Sequence, residues 1–67
     1  MTEYSILEHT RHELRTPLQP IIGYSEMLKN PKFSLSENEQ REAAEEIHSN
    51  ALRLSQVIEE LFRLGKL

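Results

Sequence analysis

The second half of this 67-residue chain carries the feature that most limits its fold. Six apolar residues recur there at alternating spacings of three and four: Ala44, Ile47, Ala51, Leu54, Ile58 and Leu61. This spacing puts them on one face of an α-helix and is typical of the seam of a helical bundle. An apolar seam of this length has to be covered by other helices. We therefore predict a helix from about residue 37 to residue 64.

The first half has a comparable apolar stripe, formed by Leu7, Leu14, Leu18, Ile21 and Leu28, with Ser25 in the same series. Pro17 and Pro20 interrupt it, and each lacks the N–H that a helix interior needs. Because the stripe keeps its phase across both prolines, we predict one helix from about residue 4 to residue 29, bent at or just above His12. The alternative is a helix that ends near Thr16, followed by a second one that begins at Pro17.

Residues 30–36 read as the connection between the two helices. Asn30-Pro31 is a turn signal, and Phe33 and Leu35 are expected to cover the end of the core. Ser36 and Glu39 have the spacing of a capping box, and Gly65 is a plausible C-terminal cap. A short loop between two long helices predicts an all-α fold, an antiparallel two-helix hairpin.

The chain forms one domain, residues 1–67, and two helices leave part of each seam uncovered. Two hairpins packed about a twofold axis would close a four-helix bundle, so we expect a homodimer. Docking of a monomer onto another domain would cover the same stripes.

Composition excludes several classes of protein. The chain has no cysteine, so it has neither disulfides nor cysteine metal sites. Its net charge is −3, with eleven acidic and eight basic residues mixed along the sequence, which argues against a nucleic-acid-binding surface. No apolar run is long enough to span a membrane and no signal pattern opens the chain, so no direct membrane contact is expected.

His12 is the main candidate for chemistry. It lies roughly 160° around the first helix from the apolar stripe, Glu13 follows it, and Thr16 is its neighbour one turn on. The zinc motif His-Glu-x-x-His fails because Thr16 stands at the second histidine position. His9 and His12 could share a metal, but no third ligand is nearby. His48 lies beside the second seam and has no assigned chemistry.

The seven residues from His12 to Leu18, His-Glu-Leu-Arg-Thr-Pro-Leu, closely resemble the H-box of sensor histidine kinases. The motif lies in their dimerisation and histidine phosphotransfer domain, and the resemblance extends over the whole chain. It implies that His12 accepts the γ-phosphoryl group of ATP and passes it to an aspartate of a response regulator. Glu13 would then be the general base, and Thr16 would position a water for dephosphorylation of the regulator.

The resemblance also implies partners. A response-regulator receiver domain would dock on the outward face of the first helix, for which we name Arg15, Gln19, Pro20, Gly23 and Met27. Gln19-Pro20 departs from the more usual family pattern, which leaves the details of the bend open. No P-loop or glycine-rich lid is present, so the chain should hold no cofactor. ATP and Mg²⁺ would belong to a separate ATP-binding domain acting in cis or in trans. The domain would be cytoplasmic, whether or not the full protein is anchored in a membrane.

Two other functions fit parts of the sequence. A purely structural hairpin that only dimerises would leave His12 an ordinary surface residue. A monomeric histidine phosphotransfer module would need four helices in one chain, and this chain offers two.

Overall fold

The structure, a computed structural model, describes residues 3–65, with side chains from residue 8 onward. Helix α1 spans Glu3–Lys29, a single 3₁₀ turn spans Pro31–Phe33, and helix α2 spans Glu37–Arg63. The two long helices pack against each other along their length. The predicted all-α hairpin is therefore confirmed. The predicted stripe position Leu7 lies outside the described side chains.

Helix α1 continues through both of its prolines. The alternative of two helices meeting at Pro17 is therefore wrong. The Pro17 side chain is less than 2% exposed, so its ring is part of the contact between the helices. The carbonyls of Glu13 and Thr16 have no helical donor, because Pro17 and Pro20 carry no N–H. The bend at this point remains a prediction.

The connection contains a 3₁₀ turn that the sequence pattern did not predict, since three residues are too few to show periodicity. Asn30 opens the turn by accepting a hydrogen bond from the Lys32 backbone N–H to its Oδ1, at 3.0 Å. Ser34 has a φ of 42°, in the left-handed region that lets the chain reverse direction. Leu35 is half-buried, but Phe33 is 50% exposed, so Phe33 does not provide the predicted cover within one protomer.

Helix α2 begins with the predicted capping box. The Glu39 N–H donates to Ser36 Oγ at 3.1 Å, and the Ser36 N–H donates to Glu39 Oε1 at 2.9 Å. These two bonds satisfy two backbone donors that a helix start leaves free. At the other end, the N–H of Gly65 bonds to the Phe62 carbonyl at 3.0 Å, and Gly65 has a φ of 71°. This is the predicted glycine cap.

The seam between the helices differs from the predicted one. On α2, Ala43 and Leu61 are buried, and the side chains between them that turn toward α1 are half-buried: Ile47, Asn50, Leu54 and Val57. The other three predicted seam positions, Ala44, Ala51 and Ile58, are exposed. The predicted series therefore combined two neighbouring faces of α2. On α1, Thr10 and Pro17 are buried, whereas the predicted Leu18 and Leu28 are about 40% exposed (40% and 41%).

Several exposed apolar residues of the two helices fall on the same side of the hairpin, whereas Leu52, also exposed, does not. Leu18 lies about 100° around α1 from buried Pro17, and Phe62 lies about 100° around α2 from buried Leu61. Because the helices are antiparallel, these equal rotations turn both side chains to the same side. We call this surface the uncovered apolar face; it comprises Leu18, Ile22, Ala44, Ala51, Ile58 and Phe62.

The hairpin is long and thin, with extents of 47 × 19 × 13 Å and a radius of gyration of 15.2 Å. A globular chain of this length has a radius of gyration of about 11 Å. Such a shape cannot enclose its own apolar residues.

The capping box makes the stability of the hairpin depend on pH. The hydrogen bonds from the backbone and side chain of Ser36 lower the pKa of the Glu39 carboxyl from its ordinary value. A lowered folded-state pKa stabilises the fold above the unfolded pKa, and this contribution is lost as the pH falls through the folded pKa. We expect Glu39→Gln to lower the thermal midpoint at pH 7. The difference from the parent should shrink as the pH falls through the lowered pKa of Glu39.

The midpoints should be compared by circular dichroism at one fixed protein concentration, since dimerisation would shift them. Ser36→Ala, which removes the partner hydroxyl, should cost about 1 kcal/mol at pH 7. The matched control is Glu37→Gln, an exposed first-turn glutamate outside the box. An effect of Glu39→Gln equal to that of Glu37→Gln at every pH would contradict the assignment.

Candidate functional site

His12 is exposed, and it lies on the opposite side of the hairpin from the uncovered apolar face. Helical geometry puts it about 140° from buried Pro17, in the sense opposite to Leu18. It lines a surface depression of about 230 Å³. Four residues of α1 and two of α2 form this depression: His12, Glu13, Thr16, Pro17, Arg53 and Val57. The imidazole of His12 is therefore exposed to solvent, as predicted.

The Glu13 carboxylate is directed at His9. Its Oε1 lies 2.6 Å from His9 Nε2, one helical turn before it. Glu13 is half-buried against α2, whereas the His9 side chain is 63% exposed. Pairs at this spacing on a solvated helix contribute about 0.3–0.5 kcal/mol. Glu13 can therefore leave His9 for another partner at little cost.

Thr16 is joined to the backbone of His12. Its Oγ1 donates a hydrogen bond to the His12 carbonyl oxygen at 2.9 Å. This is the spacing at which threonine hydroxyls bond back to the preceding turn of a helix. The bond uses the only proton of the hydroxyl and leaves its lone pairs free to accept from a water. The hydroxyl therefore faces the depression as an acceptor.

Arginines lie on two sides of the imidazole. Arg11 and Arg15 share a smaller depression of about 140 Å³ with His12 and Glu8, and Arg11 Nη1 lies 3.6 Å from Glu8 Oε1. Arg53 approaches from α2 and lines the larger depression. Arg53 could not be placed near His12 from the sequence, because its proximity to His12 depends on the relative register of the two helices, which neither apolar stripe specifies.

The predicted partner residues continue along the same side toward the connection. Pro20, Gly23, Tyr24 and Met27 line one depression of about 360 Å³, and Gln19 is exposed beside it. Pro20 and Met27 are half-buried rather than fully outward, because they flank the contact with α2. A Cβ placed on Gly23 would meet no atom within 4 Å, so the glycine leaves an open patch of backbone.

Residues 3–65 contain no group of three His, Cys, Asp or Glu side chains arranged to hold a metal ion. Neither long helix has a stretch apolar enough to cross a bilayer.

Comparison with known proteins gives one consistent result. Residues 5–67 match the model of the His Kinase A (phospho-acceptor) domain. An uncharacterized sensor-like histidine kinase of Rhizobium meliloti is 39% identical over 57 residues, which are 84% of this chain and 11% of that protein. The sensor histidine kinase YvrG of Bacillus subtilis is 36% identical over 50 residues, 75% of this chain and 9% of that protein.

A third relative, the non-motile and phage-resistance protein of Caulobacter vibrioides, is 34% identical over 62 residues, 91% of this chain and 7% of its own length. The chain thus spans about a tenth of the length of these relatives. It has no significant match among solved structures. With a family match over nearly all its residues, a helical hairpin and an exposed histidine in the H-box, the chain belongs to the family of His Kinase A phospho-acceptor domains found in sensor histidine kinases.

Proposed function

We propose that this chain is the dimerisation and phosphoacceptor domain of a sensor histidine kinase, and that His12 carries the phosphoryl group. The observation that supports this most directly is the position of His12. Its imidazole is exposed in a depression that contains a hydroxyl and a guanidinium, on the side of the hairpin away from the uncovered apolar face. An imidazole there stays accessible when that face is covered.

The reaction is a phosphoryl transfer in two steps. An unprotonated ring nitrogen of His12 forms a bond to the γ-phosphorus of ATP, and the bond from that phosphorus to the β-phosphate oxygen breaks, releasing ADP. In the second step an aspartate oxygen of the receiver domain bonds to the phosphorus and the N–P bond breaks. A neutral imidazole is a competent nucleophile near pH 7. The remaining ring proton stays on the other nitrogen throughout.

Glu13 is the residue that we assign to holding that ring proton. A carboxylate bound to the N–H of one ring nitrogen fixes the tautomer and leaves the other nitrogen free to attack. Its present partner is His9, at 2.6 Å, so it must change rotamer to serve His12. Because a solvated pair of this kind is weak, the change costs little.

Thr16 is the residue that we assign to dephosphorylation of the receiver. A water that donates a hydrogen bond to Thr16 Oγ1 would be held beside His12, where a docked phosphoaspartate can reach it. The back-bond of Thr16 to the His12 carbonyl supports this role, since it fixes the hydroxyl rotamer and leaves only acceptor lone pairs exposed.

The remaining requirements belong to partners. ATP and its Mg²⁺ would come with a kinase ATP-binding domain, in cis or in trans, so the chain alone should not label itself. ATP as the phosphoryl donor implies a cytoplasmic location.

The phosphoacceptor assignment is tested with labelled ATP and a separately produced histidine kinase ATP-binding domain. The parent chain should acquire label that is lost in acid, because N-linked phosphate is acid-labile. The labelling of His12→Gln should fall to background. The matched control is His48→Gln, another exposed histidine, which should label like the parent. Glu13→Gln should label about 100-fold more slowly or worse. Equal labelling of the parent and His12→Gln would refute the proposal.

The uncovered apolar face is the proposed dimer interface. Ile58, in its centre, is 37% exposed and Phe62 is 66% exposed in the single hairpin. Alanines at positions 44 and 51 leave room for close approach of a second helix. A second copy packed by twofold symmetry presents the same apolar side chains, which gives a four-helix bundle.

Sedimentation equilibrium tests this interface. Ile58→Glu should raise the dimer dissociation constant at least about tenfold, because each protomer would bury an unpaired carboxylate. Leu52→Glu is the matched control: Leu52 is 55% exposed but points away from α1, outside the face. If both substitutions weaken the dimer equally, or if neither weakens it, this interface is ruled out.

The receiver domain is proposed to dock on the His12 side, over Arg15, Gln19, Pro20, Gly23 and Met27. The depression lined by Pro20, Gly23, Tyr24 and Met27 supports this, since it is apolar in character and continues the side that bears His12. The open backbone at Gly23 allows a partner element to approach closely.

Gly23→Glu should separate docking from phosphorylation. The new side chain meets no atom of the hairpin, and replacing glycine removes a helix penalty of about 1 kcal/mol, so the fold should tolerate it. Labelling of His12 should persist, while transfer to a cognate receiver should slow about tenfold or more. Leu52→Glu again serves as the control. Unchanged transfer by Gly23→Glu would exclude this patch from the docking surface.

A further inference from the structure

Arg53 of α2 is a cation that shares the depression of His12. The depression of about 230 Å³ is lined on the α2 side by Arg53 and Val57 only, and on the α1 side by His12, Glu13, Thr16 and Pro17. Arg53 itself is exposed, so its guanidinium is hydrated and able to move. It is thus the one charged α2 side chain lining that depression.

The carboxylates near Arg53 already have other partners. A neighbouring depression brings Arg53 together with Glu13 and Glu60. Glu13 is engaged by His9 at 2.6 Å, and Glu60 accepts a hydrogen bond from Arg63 Nη2 at 2.9 Å. Among residues 8–65, Arg53 makes no ion pair within 4.0 Å, whereas Arg11 and Arg63 do. Its five N–H donors therefore remain available for an anion.

The anion that this arrangement fits is a phosphoryl group on His12. A phosphorylated side chain carries about −1.5 to −2 charges and three acceptor oxygens, and arginine binds such groups with two parallel hydrogen bonds. One water needs about 10–15 Å³ of such space, so 230 Å³ holds a phosphoryl group with room to spare. On this side of the imidazole the Glu13 carboxylate would repel a phosphoryl group, and Arg53 is the cation that lines the same depression; Arg11 and Arg15 lie on the other side.

We propose that Arg53 binds the phosphoryl group of phosphorylated His12 across the two helices, and so couples α2 to the phosphorylation state of α1. This rests on the proposed function, since it takes His12 as the phosphate carrier. Arg53 offsets the repulsion from Glu13 and holds the phosphoryl oxygens toward α2. The chain has a net charge of −3, and Arg53 supplies a positive charge beside the phosphoryl group.

The test uses phosphoramidate, which phosphorylates exposed imidazoles without any kinase. A histidine ring nitrogen bonds to phosphorus and ammonia leaves, so the result does not depend on whether a kinase recognises the chain. The ³¹P resonance of phosphorylated His12 is the one missing from His12→Gln. Its movement with pH reports the pKa at which the phosphorylated imidazole loses its ring proton and gains one negative charge.

Removal of the Arg53 charge should raise that pKa. A neighbouring cation favours the form that carries one more negative charge, so Arg53→Gln should raise the pKa of phosphorylated His12 by about 0.5 to 1. Arg53→Lys should give a smaller increase, because it keeps the charge and loses the fork of donors. The matched control is Arg41→Gln, an exposed arginine twelve residues earlier on α2 and so about 18 Å away along the helix.

Each outcome decides the proposal. A raised pKa in Arg53→Gln alone, with helix content and thermal midpoint unchanged, supports it. Equal shifts in Arg53→Gln and Arg41→Gln would show only a general effect of net charge and would overturn it, as would no shift in either. A failure of phosphoramidate to label His12 also overturns it, since the depression would then not admit a phosphoryl group. Failure of the kinase assay with a positive result here would instead count against the proposed function.

Discussion

The packing of the Pro17 ring into the contact between the helices fixes the rotation of α1, and with it the direction of every other side chain on that helix. Pro17 is less than 2% exposed, and few other side chains among residues 8–65 are as fully buried. With 100° between residues, a helix whose position 17 faces its neighbour must turn position 18 to one side and position 12 to the other. The separation of the uncovered apolar face from the His12 side follows from this single contact.

A proline is an unusual residue to bury in this way, because it gives up a backbone donor within a helix. Its effect here is local: the carbonyls of Glu13 and Thr16 lose their helical donors just where the candidate site lies. The backbone turn that carries His12 is therefore held by fewer bonds than the rest of α1, although Thr16 Oγ1 adds one to the His12 carbonyl. In the proposed function His12 meets an ATP site and then a receiver, and a turn with fewer backbone bonds can adjust to both more easily than a fully bonded one.

The sequence predicted the elements well and the faces less well. Ser36, Glu39 and Gly65 have local chemistry that leaves little choice, so the bounds of α2 could be predicted from them. The seam of α2 could not be assigned in the same way. Positions 43, 47, 50, 54, 57 and 61 face α1, yet Asn50 is polar and Ala43 is no more apolar than its neighbour Ala44. The neighbouring series through Ala44, Ala51 and Ile58 is equally regular, and a periodic pattern cannot tell which of two apolar faces meets which partner.

The same limit explains which parts of the candidate site were found. His12, Glu13 and Thr16 lie within one turn of a single helix, so their proximity follows from sequence spacing alone. Arg53 is forty-one residues from His12, and only the packing of α2 against Pro17 brings it to the same depression. The two groups of residues also differ in kind. Those on α1 are the proposed nucleophile and its immediate neighbours, which the proposed chemistry needs in any protomer. In the proposed arrangement the residue on α2 supplies charge that reaches the site only when the hairpin is packed, so the affinity of the site for a phosphoryl group would measure how well the two helices are joined.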